Sequence, residues 1–216
     1  MSTLTPAAKQ IAPPGGWITA SGSRIEPVSP AQMRVWERAL IWAALKFKAP
    51  KSANTKLPIV FAVLMRHRRL FYAWLRFAGK LMPGGSLDRR DTELAILRVG
   101  WNCRCRYEWG QHVEIGLRAG LTAAEIARIA QGADAPGWSP RQSALLHAAD
   151  ELHRDHVIAP ATWQQLSEYF RDHHLIEICL LIGHYEMLAG FLNSVGLSLE
   201  PQVEAALRRT AIHQDA

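Results

Sequence analysis

The sequence predicts an all-α fold, a single-domain bundle of helices around one core, on three observations. Apolar residues recur at spacings of three and four along most of the chain, sustained period-two alternation occurs nowhere, and Gly, Pro and Ser/Thr punctuation falls where the periodic stretches begin and end. With 216 residues, 49% of them hydrophobic, the chain is long enough to bury a substantial core. Eight Trp spread over its whole length point to several helix contacts rather than one aromatic platform.

Residues 1–30 are rich in Pro, Gly, Ser and Thr and read as an extended arm, which Ile11, Trp17 and Ile18 can pin to the body or to a neighbouring subunit. The helical domain then occupies 31–210. Ser29-Pro30 opens a helix through Met33, Trp36, Leu40 and Ala44, and 46–54, with Pro50, reads as a loop. Two helices follow, over 58–66 and 70–81, and Pro83-Gly84-Gly85 breaks the chain. Ser86 can cap the next helix, whose first turn carries Asp88 and Asp91 where the helix dipole favours acids. After a second helix Gly120 provides a left-handed end, and Thr122 with Glu125 forms a capping box for a short helix ending near Gly132. Ser139-Pro140 starts a helix with Leu145, Leu146, Ala149 and Leu152 on one side, and Ala159-Pro160 starts another that reaches about Asp172. A long apolar helix over 175–193 aligns Ile178, Leu181, Tyr185, Leu188 and Leu192, and Pro201 opens a last one ending near Arg209.

Charge and cysteine usage exclude several classes. The formal charge is 25 − 19 = +6, but the basic clusters are short and alternate with acids, so they suit small anions rather than nucleic acid. Cys103, Cys105 and Cys179 are too few and too unevenly placed for a secreted disulfide framework. The first 30 residues lack a basic start followed by an apolar core, and no apolar run reaches the ~20 residues of a bilayer span. A cytoplasmic protein without membrane contact is expected.

Chemistry concentrates in 87–132. An apolar run from Leu94 to Trp101 precedes a polar run holding Cys105, Glu108 and His112, which on a helix stand at i, i+3 and i+7 on one face. Glu93 opens the apolar run, where a carboxylate needs a partner. An acid, a base and a thiol so arranged suit proton transfer or thiol chemistry; equally, Cys105 can be a small buried hydrophobe, and Glu93 can simply pair with Arg90 or Arg98. Tyr107 and Trp109 can flank a substrate or pack in the core, Arg104 and Arg106 are expected at the surface, and His184 is expected as a hydrogen-bonded core histidine. No metal or cofactor is expected, because His112 and two glutamates at this spacing are a weak ligand signal.

The stretch 89–132, with Arg90-x-x-Glu93, Tyr107-Glu108-Trp109-Gly110-Gln111-His112 and Ala119-Gly120-Leu121-Thr122-x-x-Glu125-Ile126, resembles the carboxymuconolactone decarboxylase and alkylhydroperoxidase D-like superfamily. Ala148-Ala149-Asp150-Glu151-Leu152-His153, Thr162-Trp163 and Gly183-His184-Tyr185 extend the likeness to about 57–200. The resemblance implies a homo-oligomeric helical fold with its site on these helices. Redox members carry a Glu, a Cys-x-x-Cys pair and a His; here Glu93, Cys105 and His112 match, but Glu108 stands at the second cysteine. On one helix Cys103 would point about 200° away from Cys105, and only Cys179 is left to approach it in space.

The missing thiol pair favours a decarboxylase-like enzyme that moves protons on a small organic acid or lactone. His112 would be its base, Glu93 or Glu108 the proton-sharing acid, and Arg90 or Arg98 the anion clamp. The alternatives are an alkylhydroperoxidase-like thiol peroxidase using Cys105, and a non-catalytic binder of small molecules on the same fold.

Overall fold

The centre of the molecule is the most apolar stretch of the chain, wound into a helix buried on nearly every side. The computed structural model describes residues 11–20, 22–37 and 58–210. Besides helical residues 35–37, the α-helices among these are α1 Ile59–Leu64, α2 Arg68–Leu81, α3 Arg89–Asn102, α4 Arg106–Arg118, α5 Ala123–Ile129, α6 Pro140–Asp155, α7 Pro160–Tyr169, α8 Asp172–Val195 and α9 Pro201–Arg209, and no described residue is in a strand. The fold is all-α, as the helical spacing predicts.

Central α3 buries Leu94, Ala95, Ile96, Leu97, Val99 and Trp101, and also Asp91, Thr92 and Glu93. A helix apolar all round belongs in a core, and α3 packs against α4, α5, α6 and α8. Burying a large aliphatic side chain is worth roughly 1.5–3 kcal/mol, so this helix anchors the rest. A second cluster gathers Val60, Val63, Cys105, Tyr107, Ala189 and Leu192, and joins α1 to the start of α4 and the end of α8.

The helix ends follow the punctuation with two shifts. Asp88 rather than Ser86 caps α3, its carboxylate accepting from the Arg90 N–H at 2.8 Å. Ser86 instead binds Glu177 of α8, donating its backbone N–H at 2.8 Å, so the Pro83-Gly84-Gly85 break is fastened to the long helix. Beyond α4, Gly120 adopts φ +95° and completes a Schellman end, with Leu121 N–H on the Gly116 carbonyl and Gly120 N–H on that of Leu117. The helix expected from Pro30 is preceded by a 3-10 turn, Pro30–Gln32, which Met33 leaves in extended conformation, and residues 35–37, Trp36 among them, are helical. Its continuation through Leu40 and Ala44, and the loop 46–54, lie outside the described residues.

The expectation that no segment could cross a bilayer needs correcting for α8. Once helical, its 24 residues are long and apolar enough by length and composition, with a mean hydropathy of 1.6 over the best window. Polar Glu177 and Glu186 lie among its apolar residues, which hid the run from a scan for uninterrupted hydrophobics. In the fold α8 packs on α2, α3, α4, α6 and α7 and buries Leu175, Ile178, Leu181, Ile182 and Leu192.

The described part of the arm, 11–20 and 22–28, contains no helix and lies along the body. Ile11 is buried in the main core, Trp17 packs against Trp101 and Trp109 at ring distances of 5.6 and 5.8 Å, and Ile18 leaves its side chain exposed and is tied only through its backbone N–H. Arg104, expected at the surface, holds this arm: its guanidinium donates to the Gly16 and Gly15 carbonyls at 2.6 and 2.5 Å. Its φ of +53° turns the chain from α3 into α4.

Candidate active site

The α3–α4 turn determines which groups meet. Because Arg104 sits left-handed between them, Cys103 ends α3 and Cys105 precedes α4, so the two thiols do not share a helix. α4 then crosses close over α3 at Gly100, where a Cβ would stand 3.3 Å from the Trp109 nitrogen and 3.6 Å from Glu108 Oε1. The glycine is what lets Glu108 settle against the α3 backbone.

From α3, Glu93 reaches up to α4 and its Oε2 lies 2.7 Å from His112 Nδ1, both side chains being buried. The carboxylate partner assigns Nδ1 as the protonated nitrogen and leaves Nε2 as the basic one. The second glutamate oxygen is 2.7 Å from the Arg89 guanidinium, one turn earlier, an ion pair by charge proximity rather than an aligned hydrogen bond. The imidazole packs edge-on against the Tyr185 ring at 5.2 Å, and Tyr185 meets His184 in the same way at 5.3 Å.

Glu108 is the unusual group. It is fully buried, and neither carboxyl oxygen has a hydrogen-bond partner among the described residues. Burial, and secondarily the charge of Glu186, push its pKa well above the ordinary value of 4.5. A carboxyl group so placed holds its proton where other glutamates have lost theirs.

Glu108, His112, Arg89, Tyr185 and His184 all line one cavity of about 880 Å³, walled by apolar side chains such as Phe61, Trp74, Leu75, Ile115 and Leu188. That volume suits a small organic ligand. His184 is not the hydrogen-bonded core histidine expected: its Nδ1 has no partner among the described residues, burial lowers its pKa, and its ring stacks on Trp74 at 5.9 Å. Tyr185 is kept neutral, its pKa raised well above the usual phenol value by burial and then by Glu93 and Glu108.

The other candidates are placed differently. Cys105 is fully buried in the second apolar cluster and is not on the cavity wall. Burial, and then Glu108, raise its thiol pKa. Cys179 packs at the edge of the main core rather than in that cluster, and all three cysteines are free. Tyr107 lines the cavity, but its hydroxyl donates to Glu200 at 2.9 Å and accepts from the Val60 N–H at 3.3 Å. Trp109 lies in the aromatic group with Trp17 and Trp101, away from the cavity.

Neither arginine expected to clamp an anion is on the wall. Arg90 is bound to Glu125, and Arg98 makes a two-pronged contact with Asp150 at 2.5 and 3.0 Å while donating to the Ile129 carbonyl. The cations that line the cavity are Arg89 and Arg118, the latter paired with Glu114 at 2.7 Å. Sequence reasoning passed over both, although Arg89 stands one helical turn before Glu93.

Comparison with known proteins agrees with this architecture. The profile of the carboxymuconolactone decarboxylase family matches residues 68–151, from α2 through most of α6. No curated protein matches the sequence. Among solved structures, a peroxidase-related protein with the alkylhydroperoxidase D core from Ralstonia eutropha superposes with a TM-score of 0.74 at 20% identity, covering 88% of this chain and 99% of its own. The debrominase Bmp8, solved with 2,3,4-tribromopyrrole, gives 0.71 at 12% identity over 87% and 97%. A peroxidase-related protein from a Silicibacter species gives 0.69 at 14% identity over 94% and 97%. The segment that carries Glu93, Glu108 and His112 thus matches the carboxymuconolactone decarboxylase family, and the fold around it is that of alkylhydroperoxidase D-like structures.

Proposed function

We propose that this protein is an enzyme that moves protons on a small carboxylated ring compound, a carboxylactone or a related organic acid. The observation that carries the reading is a fully buried, unpartnered carboxyl group, Glu108, whose burial favours the protonated form, on the same cavity wall as an imidazole oriented by a carboxylate. Such a pair supplies an acid and a base at once. His112 Nε2 takes a proton from the carbon next to a substrate carbonyl, and Glu93 holds the ring and balances the imidazolium that forms. The Glu108 carboxyl delivers a proton to the far end of the conjugated system, or to the carbon that keeps the electron pair when CO2 leaves. Arg89 provides positive charge for the substrate carboxylate, and the apolar walls exclude water.

A thiol peroxidase has less support. Peroxide reduction needs an accessible thiolate, whereas the Cys105 thiol is buried and its burial favours the protonated form. The deciding experiment is turnover of carboxymuconolactone and related carboxylactones by three variants. His112→Ala and Glu108→Gln should each lose on the order of 10²–10⁴ in rate, and Cys105→Ser should retain activity. Activity that depends on Cys105 and survives His112→Ala would overturn the reading.

A further inference from the structure

Within electrostatic reach of Glu108 but off the cavity wall, three side chains far apart in sequence come together and take no part in the proposed reaction. Cys103 ends α3, His153 lies in the last turn of α6, and Glu186 stands midway along α8. Cys103 Sγ is 3.1 Å from Glu186 Oε2, His153 Nδ1 is 2.9 Å from Glu186 Oε1, and the sulfur and imidazole nitrogen are 3.9 Å apart. We propose that these residues bind one divalent cation of the zinc class.

The donor set selects the class. A thiolate, an imidazole and a carboxylate together suit zinc or cobalt(II), whereas calcium and magnesium take oxygen ligands. Tetrahedral zinc with ordinary bond lengths has ligand-to-ligand edges of roughly 3.4–3.6 Å. The sulfur-to-nitrogen separation of 3.9 Å lies a little above that range, and one ligand atom from each of the three residues lies within 4.8 Å of the others, so modest side-chain shifts admit the ion. Three protein ligands leave a fourth position for water, and the exposed edge of His153 provides the way in.

The backbone holding the sulfur is fixed from two sides. The Cys103 N–H donates to the Val99 carbonyl at 2.9 Å, and the Asn193 amide donates to the Cys103 carbonyl at 2.9 Å. The neighbouring ionisable groups are Asp150, Arg98 and Glu108; Arg98 is committed to Asp150, and burial favours the uncharged form of Glu108. Binding replaces the thiol proton, which leaves to solvent, with a metal–sulfur bond and neutralises Glu186. The ion would tie α3, α6 and α8 together. None of the three ligands lines the 880 Å³ cavity, so the proposal stands apart from the acid and base reading.

Cobalt(II) titration of the purified full-length protein tests it. The expected result is one equivalent bound, with a thiolate-to-cobalt charge-transfer absorption in the near ultraviolet, displaced by zinc, and a rise in Tm on adding zinc. Cys103→Ser should abolish that absorption, His153→Ala and Glu186→Gln should weaken binding by roughly tenfold or more, and Cys179→Ser should change nothing. His153 is exposed, so His153→Ala retains its fold even if Cys103→Ser does not, and helical circular dichroism confirms this. Absence of the charge-transfer band, its survival in Cys103→Ser, or adventitious millimolar binding equal in all variants would overturn the proposal.

Discussion

Glu108 leaves the first turn of α4 for a fully buried position where no described residue bonds to it, so folding favours its protonated form. Its folded pKa therefore lies well above 4.5, and between the two values the folded chain holds a proton that the unfolded chain has released. Stability should fall by about 1.4 kcal/mol per pH unit across that interval, being complete below the unfolded pKa and lost as pH rises through the folded one. Glu108→Gln removes the term, so urea denaturation between about pH 5 and 7 should show the variant gaining on the parent as pH rises; parallel profiles would refute the assignment. Glu93 acts through its partner. In Glu93→Gln the neutral amide no longer holds the Nδ1–H tautomer or the imidazolium, and kcat should drop by roughly 10²-fold or more with KM little changed. That Glu93 pairs with His112 was legible in its placement, because a carboxylate opening an apolar run must find a partner and α4 offers His112, and the spacing of four puts Glu108 and His112 on one face of α4, where both line the cavity. The choice between Arg89 and Arg90 was not. Both sit within a turn of Glu93, and Arg90 is drawn away because the cap of α5 brings Glu125 to it.

At the scale of elements, caps and breakers located the helices from α4 to α9 closely, since local chemistry at Thr122, Ser139, Pro160 and Pro201 decides where those helices begin. The start of α3 escaped the same logic because Ser86 was claimed by Glu177, a residue 91 positions away. The angle between α3 and α4 escaped it too, since it depends on a close approach of two backbones. Gly100 permits that approach. Gly100→Ala places a methyl 3.3 Å from the Trp109 nitrogen and 3.6 Å from Glu108, and backbone cannot swing aside as a side-chain tip would. The cost should be about 1–3 kcal/mol in urea denaturation. Because the displaced element carries both Glu108 and His112, turnover should fall more than the stability loss alone accounts for. An unaltered rate in a well-folded Gly100→Ala protein would show that α4 can settle elsewhere without disturbing the cavity.

Across the whole molecule, the cavity draws its walls from α2, α4, α8, the start of α1 and Arg89 at the start of α3, with α4 contributing Tyr107, Glu108, Gln111, His112 and Ile115. The site therefore depends on how firmly the front of α4 is held, and the arm holds it from outside. Trp17 closes over Trp101 of α3 and Trp109 of α4, Arg104 grips the Gly15 and Gly16 carbonyls, and the Ile18 N–H returns a bond to the Arg104 carbonyl at 3.0 Å. Composition revealed this segment as an arm, but a Pro- and Gly-rich stretch does not announce which turn it will brace. Trp17→Ala should cost about 2 kcal/mol, less than full burial of the ring would imply because Trp17 is only partly covered. For a chain of this size that lowers Tm by about 4–8 °C. The loss should also be local. Amide hydrogen exchange should quicken over 103–109, where Arg104 and the first turn of α4 lose their brace, and stay unchanged over 140–155 in α6, which the arm's Trp17 and Arg104 contacts do not reach. Equal acceleration in both segments would mean that Trp17 contributes only to global stability and that the arm does not hold the site.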